Sequence, residues 1–350
     1  MQTNFLIMKR LFPIIALATL VFSSCSNKVE LYSDEGDSTI VYALLDSEAD
    51  TNFVKITKSF IGNANELAQN YEACNYKYGE IEATITGVFE GSNSTKEVHL
   101  DTISKWIPYN ENSAFYSGCR QTYYYFTEKL KEGQEYNLEI TRNTDGVKIT
   151  AKAKTINTFR FKKPFDNTTL NFSGKKGSVE WRVTDASTLF HTTAAYFEVN
   201  GFFNYKELMP GATDTVHQVI RWSLGEGEAE SMFTTQNNDS YYVQSYTPMA
   251  LYTLLETNDY LKNNSPAGVQ RWFENFEFSI TAIGDELYRY NIVNNSSSAI
   301  QDVQNYSNIN NGIGLMSSRI TKIVSVKIDQ VTRKNIQDNY LYGFIYDPNR

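Results

Sequence analysis

Cys25 is the residue whose chemistry can be predicted most clearly from this sequence. It follows the basic pair Lys9-Arg10, an apolar run over residues 11–22 and two serines. A basic start, an apolar run of about a dozen residues and small residues before a cysteine are typical of a lipoprotein export signal. We therefore expect cleavage before Cys25 and lipid attachment to its thiol, which anchors a chain to a membrane without spanning it. The alternative is an ordinary secretory signal that ends near a cysteine by chance.

Charge narrows the range of partners. The predicted signal peptide, residues 1–24, carries two basic side chains and no acidic ones, and the whole chain has a net charge of −8. A mature charge of about −10 disfavours nucleic acid, because binding requires basic side chains against the phosphates. It also disfavours adsorption to anionic lipid. Residues 25–37 are polar and acidic, and we predict that they form a tether between the lipid and the folded part.

Cys74 and Cys119 are the two cysteines that remain after Cys25. Exported proteins meet an oxidising environment, so we expect these two residues to form a disulfide. Closing a loop of this length stabilises a fold by about 4 kcal/mol on the chain-entropy model. Two unpaired thiols are the alternative. No further Cys or His lies near either residue at ligand spacing, so we predict no metal site there.

Catalytic patterns are scarce in this sequence. His99, His191 and His217 are its three histidines, and they lie far apart. The chain has no Gly-x-Ser-x-Gly motif and no His-Glu-x-x-His motif, which mark a serine nucleophile and a zinc site. We therefore predict that the protein is not an enzyme and holds no cofactor. A glycosidase needs only two carboxylates, so an unrecognised hydrolase stays as the third alternative.

Aromatic residues offer a better prospect, because the chain contains 24 Tyr and 21 Phe. The run Tyr-Tyr-Tyr-Phe at residues 123–126 must turn successive rings to opposite faces of a strand, so some of them face outward. Outward rings can stack on sugars or anchor a protein interface. We predict a surface for a glycan or peptide ligand that includes Trp106, Tyr124 and Tyr242. The alternative is that the outward rings pack beneath loops or against the second domain.

Period-2 alternation in the first half predicts the strands that position these residues. Residues 39–45 and 52–60 read as a hairpin, and residues 80–89 and 95–106 as a second one. Leu130, Gly133 and Tyr136 begin a pattern with which fibronectin-III-like sandwiches enter a late strand, where the Tyr hydroxyl bonds back to the chain. We predict that residues 38–156 form an immunoglobulin-like or transthyretin-like β-sandwich.

The second half, residues 157–350, is also mainly β, and the fold class we predict is therefore two β-sandwich-like domains. Thr247-Pro248 resembles a helix start, so we expect a small helical insert over residues 248–274. Strands are predicted at residues 276–283, 320–328 and 340–346, with a short helix from Asp285. The Asn- and Ser-rich stretch at residues 294–314 is predicted to be a long loop.

Two stretches resemble a family of uncharacterised Bacteroidota outer-membrane lipoproteins. Residues 40–45 with 53–62 are similar to the opening hairpin of that family. Residues 286–290 with 306–315 are similar to its C-terminal signature. The resemblance implies an outer-membrane lipoprotein, often encoded near TonB-dependent transporters. It gives no catalytic residue to carry over.

Three short triads match the Asp-Ser/Thr-apolar acceptor of Bacteroidota O-glycosylation. They place candidate modifications on Ser38, Thr102 and Thr215.

From these observations we expect a lipid-anchored protein at the cell surface that acts as a binding or accessory component, with a TonB-dependent transporter as its expected partner. The alternative is a fimbrial or other surface structural subunit, since such subunits also combine a lipid signal with two sandwiches.

Overall fold

The computed structural model describes residues 38–59, 71–108, 119–183, 192–295, 306–339 and 342–346. Cys25, the predicted signal peptide, the tether and His191 lie outside these ranges. Within them the predicted fold class is confirmed: the protein is mainly β and consists of two β-sandwiches.

The strands are β1 (Thr39–Leu45), β2 (Asn52–Lys58), β3 (Ile81–Gly87), β4 (Lys96–His99), β5 (Asp101–Ile107), β6 (Cys119–Phe126), β7 (Glu135–Arg142), β8 (Lys148–Lys154), β9 (Phe159–Lys163), β10 (Thr169–Leu170), β11 (Gly177–Val183), β12 (Tyr196–Leu208), β13 (Val216–Glu228), β14 (Phe233–Gln236), β15 (Asp239–Tyr246), β16 (Gln270–Ile283), β17 (Ile309–Asn310) and β18 (Ile313–Ile328). The helices are α1 (Ala229–Met232), α2 (Ala250–Thr257), α3 (Asp259–Asn263), α4 (Asp285–Asn295) and α5 (Gln330–Asn339), with a 3₁₀ turn at Tyr71–Cys74.

One continuous sheet runs through both sandwiches. Its strand order is β13-β12-β16-β18-β1-β2-β6-β5, and β10 pairs with the end of β18. The sheet β17-β8-β7-β3-β4 covers the half that contains β1, and the sheet β14-β15-β11-β9 covers the other half. The two halves meet at β18, which pairs in parallel with β1 through residues 313–318 and antiparallel with β16 through residues 319–326.

Alternation along each strand builds the first sandwich. Val41 and Ala43 of β1 point into the core, where the returning C-terminal segment adds Ile309 and Met316. The predicted Tyr136 corner is confirmed, because its ring is fully buried and its hydroxyl donates to the Val88 carbonyl at 2.5 Å. The core of the first sandwich therefore draws on described residues between Val41 and Ala153, and on Ile309 and Met316 from the chain's far end.

Gly314 makes the parallel join between β1 and β18 possible. Its φ is +126°, and a Cβ built there would lie 1.9 Å from the Val41 carbonyl oxygen. Only glycine combines this backbone conformation with so close an approach.

The second sandwich has a core dominated by aromatic side chains. Trp181 is fully buried, stacks on Tyr242 at a centroid distance of 5.9 Å and meets Phe197 edge-on at 5.0 Å. Such offset and edge-on pairs add to the free energy of burying the rings. Much of the high aromatic content in this half is therefore explained by packing between strands of the core.

The helical insert is fixed to the sheet by the buried side chain of Arg271. Arg271 is fully buried, and its Nε donates to Glu207 at 2.6 Å. Its two Nη atoms donate to Ser265 Oγ at 2.8 Å, to the Asn264 carbonyl at 2.6 Å and to the Tyr342 carbonyl. One side chain therefore joins the sheet, the end of the insert and the C-terminal segment.

Several predicted elements need correction. The predicted strand at residues 95–106 is two strands, because the chain crosses at Leu100 from one sheet to the other. Residues 270–274 of the predicted insert are strand, and the end of the predicted 294–314 loop forms β17 and the start of β18. The described part of the strand predicted at residues 340–346 forms no strand, and there Phe344 makes a single bridge to Arg271.

The predicted disulfide is also corrected, since Cys74 and Cys119 are both buried free thiols. Their segments are joined by hydrogen bonds instead. The Asn75 side chain donates to the Arg120 carbonyl at 2.9 Å and accepts from the Thr122 amide at 3.2 Å. Burial raises the pKa of the Cys74 thiol, which disfavours the thiolate that oxidation requires.

Candidate binding surface

The outer face of the first sandwich carries exposed aromatic rings, because every second residue of its strands points away from the core. We name as the aromatic face the outward side chains of β1, β2, β6 and β5: Tyr42, Phe53, Lys55, Tyr123, Tyr125, Ile103 and Lys105. Tyr42 is 46 % exposed, while Phe53 and Ile103 are each 40 % exposed. A large exposed apolar patch of this kind marks an interaction site more often than isolated apolar residues do.

The rings on β2 and β6 form a cluster on this face. Phe53 lies opposite Tyr125 in the register, and the centroids of these rings are 6.1 Å apart. Tyr123 meets Phe53 edge-on at 6.4 Å. Ile103 on β5 is paired with Tyr123, so the apolar surface continues to the edge of the sheet.

Two lysines lie over the rings. Lys55 Nζ is 4.6 Å from the centroid of Tyr123, and Lys105 Nζ is 4.9 Å from the centroid of Phe53. Each ammonium is within the range of a cation–π contact. Asp101 of β5 lies on the same face, opposite Tyr125. The two lysines together with this one acid leave positive charge in excess on the face of a protein that is acidic overall, which favours an acidic group on whatever it binds.

Lys55 is the electrostatically unusual member of the face. Burial lowers the pKa of its ammonium from 10.5 to about 8, against the opposing effects of Cys119 and Cys74. Its Nζ donates to the Thr122 carbonyl at 3.1 Å, which holds the side chain across β6.

Helix α4 borders the aromatic face on one side. It lies over β18, where the Leu287 amide donates to Ser317 Oγ at 3.0 Å. Tyr42 stands at this border, and burial together with a hydrogen bond to Tyr290 raises the pKa of its hydroxyl. On the other side the face ends at β5, the last strand of the sheet.

The three binding residues predicted from the sequence have different outcomes. Trp106 is exposed, at 60 %, on the edge strand β5, where its partner in the register is Arg120. The prediction of a surface position is wrong for Tyr124 and Tyr242, because they are only 5 % and 2 % exposed and belong to the two cores. Burial raises the pKa of Tyr124 to about 12. The outward residues of its strand are its neighbours, Tyr123 and Tyr125.

A polar cleft of about 770 Å³ lies where the two sandwiches meet. Its lining residues are Ser47, Glu48, Glu90, Gly91, Lys129, Leu130, Lys131, Glu132, Gln134 and Thr158. Glu48 holds the two sandwiches together here, since it accepts from both Lys322 and Thr158. Both partners belong to the second sandwich.

The candidate O-glycosylation residues differ in accessibility. Thr215 is exposed in the turn before β13 and Thr102 is exposed on β5, whereas Ser38 is half-buried at the start of β1. Modification of all three stays a prediction.

The polar side chains that could bind a metal ion or act in catalysis lie far apart in the described part of the chain. His99 contacts Glu82 at 3.2 Å and His217 contacts Glu274 at 2.7 Å, and both imidazoles are largely exposed. No three His, Cys, Asp or Glu side chains in the described ranges are arranged to hold a metal ion. Of the helices in those ranges, none has the length and apolar character of a membrane span.

Comparisons with known proteins add little to this description. No protein-family model and no curated protein sequence matches the chain. Among solved structures, the chain is similar to the chicken CNTN1 FN1–FN3 domains, with 13 % identity and a TM-score of 0.22. That match covers 82 % of this chain and 66 % of the other, slightly under two thirds. A TM-score this low carries no weight, and the sandwich fold rests on the strand pairing described above.

Proposed function

We propose that this protein is a lipid-anchored, exported binding protein, an accessory component of the outer membrane whose partner docks on the aromatic face. The observation that carries the proposal is the group of outward rings on β1, β2 and β6, of which Tyr42 and Phe53 are exposed and Tyr123 and Tyr125 half-buried, with lysines over two of them. Exposed aromatic side chains beside positive charge are favourable contact residues for a partner surface. The lipid anchor rests on Cys25 and the residues before it.

The partner class follows from the resemblance to outer-membrane lipoproteins. We propose a TonB-dependent barrel as the partner protein, with a glycan or peptide as the ligand that the assembly handles. The positive charge of Lys55 and Lys105 supports contact with acidic groups on the partner.

The docking surface is tested by co-purification of a C-terminally tagged chain from its own outer membrane in mild detergent. The variant Phe53→Ser/Tyr123→Ser/Tyr125→Ser should lose a partner that the wild type recovers in stoichiometric amounts. The matched control replaces exposed apolar residues of the second sandwich: Phe165→Ser, Val219→Ser and Ile323→Ser. Equal recovery of the partner by both triple variants would contradict the proposed surface.

Anchoring is tested separately by fractionation. Cys25→Ala should move the chain from the membrane fraction to the soluble fraction, because the thiol is the site of lipid attachment. Ser24→Ala leaves the thiol in place and serves as the control. Retention of Cys25→Ala in the membrane would contradict the lipid anchor.

A surface structural subunit is the second candidate, and the exposed edge strand β5 favours it, since such subunits assemble through strand edges. Recovery of the tagged chain as a ladder of self-multimers, without a barrel, would support this candidate over the first.

A further inference from the structure

Strand β5 is an open edge of the continuous sheet. It pairs with β6 without interruption through all seven residues, Asp101–Ile107, and it has no second neighbour among the described strands. Six of its residues are exposed, and they include Ile103 and Trp106. The unpaired N–H and C=O groups of such an edge form a template for another strand.

The other sheet edges in the described part of the chain are protected. β4 and β14 have four residues each and β17 has two. β9 carries Arg160, Lys162 and Lys163, and β13 has a bulge opposite Val199 and Asn200. Short length, basic side chains and bulges are the usual means of blocking edge pairing. β5 is long and unbulged, and it carries a single base and a single acid.

The sequence of β5 is complementary to itself. In an antiparallel pair of two copies centred on Ile103, Asp101 lies opposite Lys105 of the second copy, and Thr102 lies opposite Ser104. Ile103 then meets its own copy on the two-fold axis. Opposite charges, hydroxyl pairs and β-branched pairs at directly opposed positions are all favourable. Centring the pair on Ser104 instead places Asp101 opposite Ile107 and leaves both charges unpaired.

We propose that two copies of this chain pair through β5, antiparallel and centred on Ile103, so that their large sheets become one. A two-fold axis through this strand gives a closed, isologous dimer. The outer faces of the two sheets lie on the same side, so the two aromatic faces adjoin across the axis. The interface is small, and confinement of both copies to one membrane raises their effective concentration.

Cross-linking tests the register. Residues directly opposite in an antiparallel pair have Cα atoms about 4.5–5.5 Å apart, within the range of a disulfide. The full-length Ile103→Cys chain, oxidised in its own membrane, should give a reducible dimer. Asp101→Cys and Lys105→Cys should each give little dimer alone, and co-expressed they should cross-link to one another. Val219→Cys, exposed on the opposite edge strand β13, is the control. No more dimer from Ile103→Cys than from Val219→Cys overturns the proposal.

Charge exchange tests the same pairing in detergent solution by sedimentation velocity. Lys105→Asp places like charges opposite each other twice in the dimer, so the dissociation constant should rise about tenfold. Asp101→Lys combined with Lys105→Asp should restore it. Both residues are exposed, and unchanged circular dichroism verifies that each variant folds. Equal dissociation constants for all three chains overturn the proposal.

Discussion

The hydroxyl of Tyr136 satisfies two backbone groups in the first sandwich. It donates to the Val88 carbonyl at 2.5 Å and accepts from the Lys131 amide at 2.7 Å, while the ring is fully buried beside Phe89. One atom therefore joins the loop before β7 to the end of β3.

Tyr136→Phe should lower the free energy of unfolding by about 1–3 kcal/mol, because the amide and the carbonyl lose their partner within the fold. Tyr125→Phe, a half-buried tyrosine of the aromatic face, should change it by less than about 0.5 kcal/mol. Urea denaturation measures both. Equal effects of the two substitutions would contradict the corner's role.

Lys55 should make stability depend on pH above neutrality. Its pKa is about 8 in the folded protein and 10.5 as the ordinary value, so the unfolded chain binds more protons between these values. The free energy of unfolding should therefore rise with pH across that window, by at most about 1.4 kcal/mol per pH unit. Lys55→Met should lack this rise. The difference between wild type and variant isolates it from Cys74 and Tyr124, and parallel pH profiles would contradict it.

The face of a strand to which each side chain points is what could not always be predicted from the sequence. Residues 123–126 are all aromatic, so alternation shows that some rings face outward without showing which ones. A shift of one residue exchanges core and surface, and Tyr124 was predicted on the wrong face for that reason. On β2, Lys55 and Thr57 alternate with Val54 and Ile56. That polar-to-apolar contrast is the signal from which the outward face of β2, and with it the position of Phe53, can be found.

At the scale of elements, Arg271 holds three separate segments together. Removing one partner of a buried ion pair leaves an uncompensated charge, so Arg271→Ala should cost about 3–5 kcal/mol of stability. Arg289→Ala removes the exposed i,i+4 pair with Asp285 and should cost about 0.5 kcal/mol or less. Thermal or urea denaturation gives both values. A loss below about 1 kcal/mol for Arg271→Ala would show that Arg271 does not hold the three segments together.

Prediction of elements succeeded where a local pattern was strong. Alternation placed β1, β2 and the centre of β16, and Asp285 correctly marked the start of α4. The break between β4 and β5 has no turn residues, because the single residue Leu100 passes between the two sheets. Helix α5 was missed: its buried residues are Thr332 and Ile336, a spacing of four with few apolar residues around it.

At the scale of the whole molecule, β18 makes the two sandwiches one structural unit. Its even-numbered residues enter both cores, with Met316 in the first and Ile320 and Val324 in the second. Glu48 adds a polar contact between the sandwiches through Lys322 and Thr158. We therefore expect the two sandwiches to unfold together.

Guanidinium denaturation should give coincident transitions by circular dichroism and by tryptophan fluorescence, which reports mainly on Trp181, Trp222 and Trp272 of the second sandwich. Gly314→Ala, at the junction with β1, should lower both midpoints and cost about 3 kcal/mol or more. Gly91 has a positive φ, and a Cβ there would meet no neighbouring atom. Gly91→Ala should therefore cost about 1–2 kcal/mol of stability. An unchanged fluorescence midpoint in Gly314→Ala would show that the sandwiches unfold independently.

The β character of both halves of the chain could be predicted from the sequence, but the return of residues 309–318 to the first sandwich could not. Nothing local distinguishes a strand that pairs with a neighbour in sequence from one that pairs with β1, more than two hundred residues away. The parallel pairing leaves one trace, Gly314, whose role is apparent only from its contact with the Val41 carbonyl.

The position of β18 in the chain also sets an order of events during synthesis. Strands β1 to β8 leave the ribosome about 150 residues before residues 309–318, a lag of some 8–30 s at ordinary rates of translation. Throughout that interval β1 is paired on one side alone, since β18 is missing, and the first core lacks Ile309 and Met316. The amino-terminal half therefore stays incomplete until most of the polypeptide has been made. Such a delay suits the export that we propose, because a chain passes through a secretion channel before it folds.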